Sequence, residues 1–280
     1  MQRRRKDRQA TGKGRRPPLA RCASRHGHRG TPSQRVFAMA GAQMLMVLMA
    51  IARSASATPG GELLQLPGAA GCVTETGAFP CADGNALDGA RSVAVSPDGK
   101  NVYVVSGRIL TPSSNALAIF DRDPITGQAV QKAGTAGCIS DNGTGGTCVD
   151  GEALEFAEAV AVSPDGGQVY VASLGGLAIF DRDAMTGALT QKAGTAGCLT
   201  VDGSAGACVT APMLFFVQSL ALSPDGRQLY VTTVDRVVIL DRDTTTGALN
   251  QKAGTAACVS DDGSGGVCAD GTALAEPAFV

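Results

Sequence analysis

The chain has 280 residues, and its 24 Lys and Arg against 25 Asp and Glu give a formal charge of −1 that conceals two opposite pieces. Residues 1–57 hold 13 Lys and Arg and one acid, Asp7, whereas residues 58–280 hold 11 Lys and Arg and 24 acids. A uniformly weakly acidic globule is excluded, as is a nucleic-acid-binding main domain, which needs a basic surface; with both histidines, His26 and His28, in the basic piece, the remainder must do any chemistry without an imidazole.

In chain order, residues 1–35 are Arg-rich and show no apolar period. Residues 36–52 form an apolar run of 17 with Gln43 as the one clearly polar side chain, and the small residues Ser54, Ala55, Ser56 and Ala57 follow. A basic stretch, an apolar core and a small-x-small site are the parts of a secretory signal peptide, with cleavage expected after Ala57. The alternative is an uncleaved N-terminal anchor, although 17 residues rising ~1.5 Å each span about 25 Å, short of the ~30 Å hydrocarbon core. Under both readings the Arg excess keeps the N-terminus in the cytoplasm and places residues 58–280 outside it. The expected location is secreted or cell-envelope, with membrane contact only through an uncleaved N-terminal segment.

Residues 58–280 carry one repeat written three times. Asp121-Arg122-Asp123 recurs at Asp181 and Asp241, and Gln131-Lys132-Ala133-Gly134-Thr135-Ala136 recurs at Gln191 and Gln251, 60 residues apart each time. Ser-Pro-Asp-Gly starts at Ser96, Ser163 and Ser223, the first interval being 67 because of an insertion over 108–114. All three tyrosines, Tyr103, Tyr170 and Tyr230, occupy one repeat position. In the first repeat, short apolar runs bounded by Pro, Asp and Gly turns predict strands over 92–96, 101–105, 116–120 and 128–132. Four-stranded antiparallel units in tandem define the expected fold class, all-β: a β-propeller of three full repeats with partial ends, forming an open or incomplete ring.

The pattern VAVSPDGxxVYV over 93–104, repeated over 160–171 and 220–231 and followed each time by a strand and DRDxxTGxL, resembles the YVTN and lactonase-type propellers, the family of bacterial 6-phosphogluconolactonase. The resemblance covers most of residues 61–280 and implies the propeller fold. It also implies the alternative function, a lactonase-like hydrolase whose site is formed by a full-length ring. The matching residues are those of strands and turns.

Of nine cysteines, Cys22 lies in the basic piece. The others fall in pairs at one repeat position, and an exported chain predicts local disulfides Cys72–Cys81, Cys138–Cys148, Cys198–Cys208 and Cys258–Cys268. A zinc site is the alternative, but the spacing lacks the usual two to four residues and no His is at hand. Counted from the first cysteine of each pair, the repeats span 72–137, 138–197 and 198–257, with a partial one over 258–280. Twelve residues past the second cysteine each next blade begins, at Val93, Val160 and Leu220, and the same count from Cys268 reaches Val280. Residues 61–66 align with 187–192 as a fourth strand without its first three. The expectation is a fragment of a longer propeller, or copies that self-associate through open blade edges.

Alternate turns of a blade fall on opposite faces. The SPDG and DRD turns are expected on one, and the second-to-third-strand connections and Cys loops on the other. Loops on a rigid scaffold carry binding, so a protein or small-molecule ligand is expected on the Cys-loop face. The acids Asp141, Asp150, Glu152, Glu155, Glu158, Asp202, Asp261, Asp262 and Asp270 gather there. Calcium is the one candidate cofactor, with Asp141, Asp261 and Asp262 as ligands, since hard cations take carboxylate oxygens; no complete D-x-D-x-D-G run occurs. The paired carboxylates of the DRD turn are of a type used in acid–base catalysis, but a turn that recurs three times reads as structural, with the middle Arg neutralising its neighbours. No catalytic residue is nominated: there is no His for a Ser-His-Asp set, no G-x-S-x-G elbow and no P-loop. The expected function is an exported binding or scaffold module without a catalytic centre.

Overall fold

The structure is a computed structural model that describes residues 63–107 and 114–272. The signal peptide, the alternative anchor, the cut after Ala57, most of the insertion and residues 273–280 lie outside the described residues. Every regular element described is a strand or a short 3-10 turn, and no helix among these residues is long and apolar enough to cross a membrane.

Three sheets follow one plan. After β1 (Val73–Thr74) and β2 (Ala82–Asp83), sheet I comprises β3 (Ala90–Val95), β4 (Asn101–Ser106), β5 (Ala116–Arg122), β6 (Ala129–Gln131), β7 (Cys138–Ser140) and β8 (Val149–Asp150). Sheet II repeats this with β9 (Ala159–Val162), β10 (Gln168–Ser173), β11 (Gly176–Arg182), β12 (Leu189–Gln191), β13 (Cys198–Thr200) and β14 (Val209–Thr210). Sheet III has β15 (Ser219–Leu222), β16 (Gln228–Thr232), β17 (Arg236–Arg242), β18 (Leu249–Gln251), β19 (Cys258–Ser260) and β20 (Ala269–Asp270). The second strands are the richest in β-branched and aromatic side chains, which suit a pleated surface packed on both sides. In sheet II that strand is buried along its whole length.

The fourth strand departs from the sequence reading. Instead of one run over 128–132, the third strand pairs with two short pieces: β5 meets β6 from Phe120↔Gln131 to Arg122↔Ala129, and β7 from Ala116↔Ser140 to Ala118↔Cys138. A 3-10 turn, Gly134–Gly137, breaks the strand between them. Gly134 stands at φ +60°, a left-handed step that costs glycine nothing and an L side chain about 1–2 kcal/mol. The repeated Gln-Lys-Ala-Gly-Thr-Ala is thus the sequence of a bulge. The Cys loop is also part of the sheet, because β7 starts at the first cysteine and β8 pairs with it in parallel. All four disulfides are formed, Cys72–Cys81, Cys138–Cys148, Cys198–Cys208 and Cys258–Cys268.

Before sheet I, the 3-10 turn Gly68–Ala70 and the parallel pair β1–β2 reproduce this outer corner. Its place is fixed by Gln131, whose side-chain amide accepts from Asn85 N at 2.7 Å and donates to Asn85 O at 2.8 Å. Gln191 holds Glu152 of the next corner in the same way, at 2.8 and 2.9 Å. The strand expected over 61–66 is not formed at 63–66, where Leu63 and Leu64 are exposed.

The core lies between the sheets. Tyr103, Val105, Leu117 and Ile119 of sheet I pack on Val169, Val171, Ala178 and Phe180 of sheet II. Tyr170, Leu177 and Ile179 of sheet II pack likewise on Leu229, Val231 and Leu240 of sheet III. We call these the trailing face of one sheet and the leading face of the next. The first strands β3, β9 and β15 lie side by side. This is the arrangement of propeller blades around an axis, with three blades and no closed ring among the described residues.

Candidate functional site

The turn face and the Cys-loop face carry different chemistry. On the turn face, the middle residue of each DRD helps to hold the following aspartate in its charged form, as expected from the sequence, and in the second and third repeats it also reaches into the preceding blade. Arg182 Nη2 donates to Asp98 Oδ2 at 2.8 Å and to Asn101 Oδ1 at 2.7 Å, Nη1 to Gly166 O at 3.1 Å, and Nε to Tyr103 Oη at 2.8 Å. Tyr103 Oη in turn donates to Gly187 O at 3.0 Å. Gly187 has φ +69°, and a Cβ there would lie 2.1 Å from the Asn101 amide, so the Thr-Gly of the turn is needed for this approach. Arg242 repeats the set with Asp165 at 2.8 Å, Gly226 O at 2.9 Å, Tyr170 at 2.7 Å and Gln168.

In the first two repeats the tyrosine and the Ser-Pro-Asp-Gly turn thus belong together to a rivet between blades. Partial burial works against the charge of Asp98. Hydrogen bonds from Ser96, Arg182 and the Lys100 amide, with the Arg182 charge, outweigh it and hold this carboxyl well below the usual range. Burial pushes Tyr170 up to about 12.

The remaining DRD acids are likewise occupied. Asp121, Asp181 and Asp241 each pair with the lysine of the bulge, Lys132, Lys192 and Lys252, at 2.5 Å. Asp183 accepts from the Met185 and Thr186 amides, both at 2.8 Å, and the Thr186 and Met185 amide bonds are what lower its pKa. These carboxylates shape turns.

The Cys-loop face holds a cleft of about 480 Å³ between the loops of sheets I and II. Four carboxylates line it: Asp141 follows β7, Glu152 and Glu155 lie between β8 and β9, and Asp202 sits in the Cys198–Cys208 loop of sheet II. Among the described residues no lysine or arginine lines it, and Leu174 and Phe215 supply apolar wall, Phe215 being 55% exposed. The loops are pinned from behind. The Gln191 amide clasps Glu152, Asp141 Oδ1 accepts from Leu154 N at 3.2 Å, and Asp202 Oδ1 accepts from Ser204 N at 2.9 Å. Phe156 and Phe216, at one repeat position where the first repeat has Gly89, are both held at φ +53°. Such strain in a bulky side chain persists only where surrounding structure fixes it.

The acids named from the sequence separate into groups. Asp141, Glu152, Glu155 and Asp202 converge on the cleft, whereas Glu158 pairs with Arg91 at 3.3 Å. Asp261 and Asp262 lie in the loop of sheet III, with sheet II between them and Asp141, and Asp262 Oδ1 accepts from Ser264 N at 2.8 Å. Among the described residues, no group of three or more His, Cys, Asp or Glu is placed to hold a metal ion. The sequence reading missed the apolar wall, because Phe215 has no counterpart in the earlier repeats, and it missed the inter-blade rivet.

No family model matches the chain, and no curated protein matches it. Among solved structures it is similar to a proposed 6-phosphogluconolactonase from Bacteroides uniformis, at 21% identity and TM-score 0.40 over 64% of this chain and 43% of that one. It is also similar to hydrazine synthase of Kuenenia stuttgartiensis, at 14% identity and TM-score 0.38 over 79% and 41%. A third likeness is to Sqt1 of Saccharomyces cerevisiae, at 14% identity and TM-score 0.39 over 59% and 34%. The chain spans less than half the length of each of these structures. At these scores no function passes from them, and the architecture rests on the sheets themselves.

Proposed function

We propose that this chain is an exported propeller-type binding module, and that its ligand is a cationic segment with an apolar side chain, held in the cleft of the Cys-loop face. The observation that carries this reading is four carboxylates converging on an apolar-walled cleft that, among the described residues, no lysine or arginine lines. Like charges gathered in a concave site raise the local potential and draw a counter-charged ligand. A guanidinium or ammonium group beside the exposed ring of Phe215 gains a further ~0.5–1 kcal/mol. Four disulfides favour an oxidising compartment. The rigid parts of the molecule serve to position loops, and the DRD acids are committed to turns, so binding is favoured over catalysis.

The test is calorimetric titration of the full chain with the blocked tripeptide acetyl-Phe-Arg-Arg-amide. Saturable 1:1 binding is expected. Raising salt should weaken it several-fold, and the double substitution Glu152→Gln, Glu155→Gln should weaken it at least tenfold. Absence of saturable binding, or binding indifferent to both substitutions, overturns the reading.

A further inference from the structure

The two junctions between sheets are built alike, and sheet I carries one half of a third. On the leading face of sheet II, Val169 and Val171 are fully buried and Val160 is 7% exposed. The corresponding residues of sheet I, Val102 and Val104, are half-buried, and Val93 is 63% exposed. Beside them runs a groove of about 380 Å³ whose floor includes Phe120 and whose far wall is Val73 and Leu87.

The polar half of the junction is also present. Arg122 Nη1 donates to Gly99 O at 3.0 Å, as Arg182 does to Gly166 O and Arg242 to Gly226 O. The guanidinium is therefore already in the rivet posture. Among the described residues it has no carboxylate, amide or tyrosine of a preceding blade to meet, and the bond to Gly99 O is the one hydrogen bond the guanidinium makes there.

The corner formed by β1, β2 and the Cys72–Cys81 disulfide narrows what can fit. Gln131 holds it where Gln191 holds the outer corner of sheet I, so the place of the fourth strand and disulfide loop is already taken. An intact sheet III from a second copy would bring its own Cys258–Cys268 loop into that same space. What fits is a unit of three strands without a fourth.

We propose that this groove is a docking site for a three-stranded antiparallel segment of the same repeat type, presented by a partner polypeptide, whose turn aspartate, strand amide and tyrosine close on Arg122. The interaction is independent of the acid-lined cleft, which lies between other loops.

The test uses residues 157–187 of this chain as probe, fused to a soluble carrier, because that segment holds the first three strands with Asp165, Gln168 and Tyr170. Titration into the full chain should show 1:1 binding. Arg122→Met should weaken it at least tenfold while leaving the chain's own unfolding midpoint in place, and a probe carrying Asp165→Asn and Tyr170→Phe should weaken it comparably. No binding of the probe, or equal binding by Arg122→Met, overturns the proposal. So does an Arg122-dependent dimer seen by light scattering without probe, which would make a second copy the occupant.

Discussion

Replacing Arg182 by Met isolates the rivet, because the chain contains its own control. The methionine keeps most of the apolar stem and removes the charge, so the loss is electrostatic. Asp98 then loses its ion pair, and Asn101 and Gly166 O lose donors. Removing one partner of a buried pair costs about 3–5 kcal/mol. The Arg182 side chain is 1% exposed but that of Asp98 is 32% exposed, and Asp98 keeps its bonds from Ser96 and Lys100, which places the cost at the low end, about 3 kcal/mol. Arg122→Met at the same repeat position removes one bond to an accessible carbonyl and should cost about 0.5 kcal/mol or less. For a folded unit of this size, 3 kcal/mol corresponds to a fall in Tm of about 6–12 °C. Urea and thermal unfolding of the two oxidised variants provide the measurement, with unchanged m-values as the check that the same unit unfolds. Equal losses in Arg122→Met and Arg182→Met would refute the claim that the bond between blades, and not the turn itself, is what the arginine stabilises.

The low pKa of Asp98 gives its ion pair a defined pH window. Folding favours the ionised form, so the contribution is complete above the unfolded value of about 3.9 and fades as pH falls below it. Asp98→Asn should therefore be less stable than wild type at pH 7, with the gap closing below about pH 4; a gap that stays constant to pH 2.5 would separate the effect from ionisation. The disulfides make a further prediction. Each closed loop of this length contributes about 2.5–3 kcal/mol by chain entropy, so Cys198→Ala with Cys208→Ala should lower stability by about that amount. Maleimide labelling without reductant should leave all eight cysteines from Cys72 to Cys268 unmodified, and their labelling would exclude the bonded state.

Most of the architecture was legible because short strands and their turns are local. Val, Ile and Tyr runs such as 101–105 and the Pro-Asp-Gly turns state their conformation within a few residues. The outer strand was harder. Gln-Lys-Ala-Gly-Thr-Ala looks like a strand followed by a loop, and only the positive φ at Gly134 turns it into a bulge that returns the chain to the same edge. The rivet joins Arg182 to Tyr103 across 79 residues of sequence, and a period of 60 reports that both residues recur without reporting that they meet. Burial was also beyond the pattern: Val93 and Val160 occupy the same position, yet one is largely exposed and the other buried, because a neighbouring sheet decides it. At the cleft, the acids were visible as a loop property, while the convergence of Asp141, Glu152, Glu155 and Asp202 depends on how two sheets stack.

The parallel pairs β7–β8, β13–β14 and β19–β20 have one more consequence. A sheet's outermost strand offers unpaired amides and carbonyls to any other chain. Here each such margin ends in a strand of two residues tethered by a cysteine bond, so the hem of every blade is sewn shut by oxidation. Reduced chains would keep ragged hems, prone to catching on one another. The thiol-to-disulfide step thus closes each margin, which fits an oxidising environment.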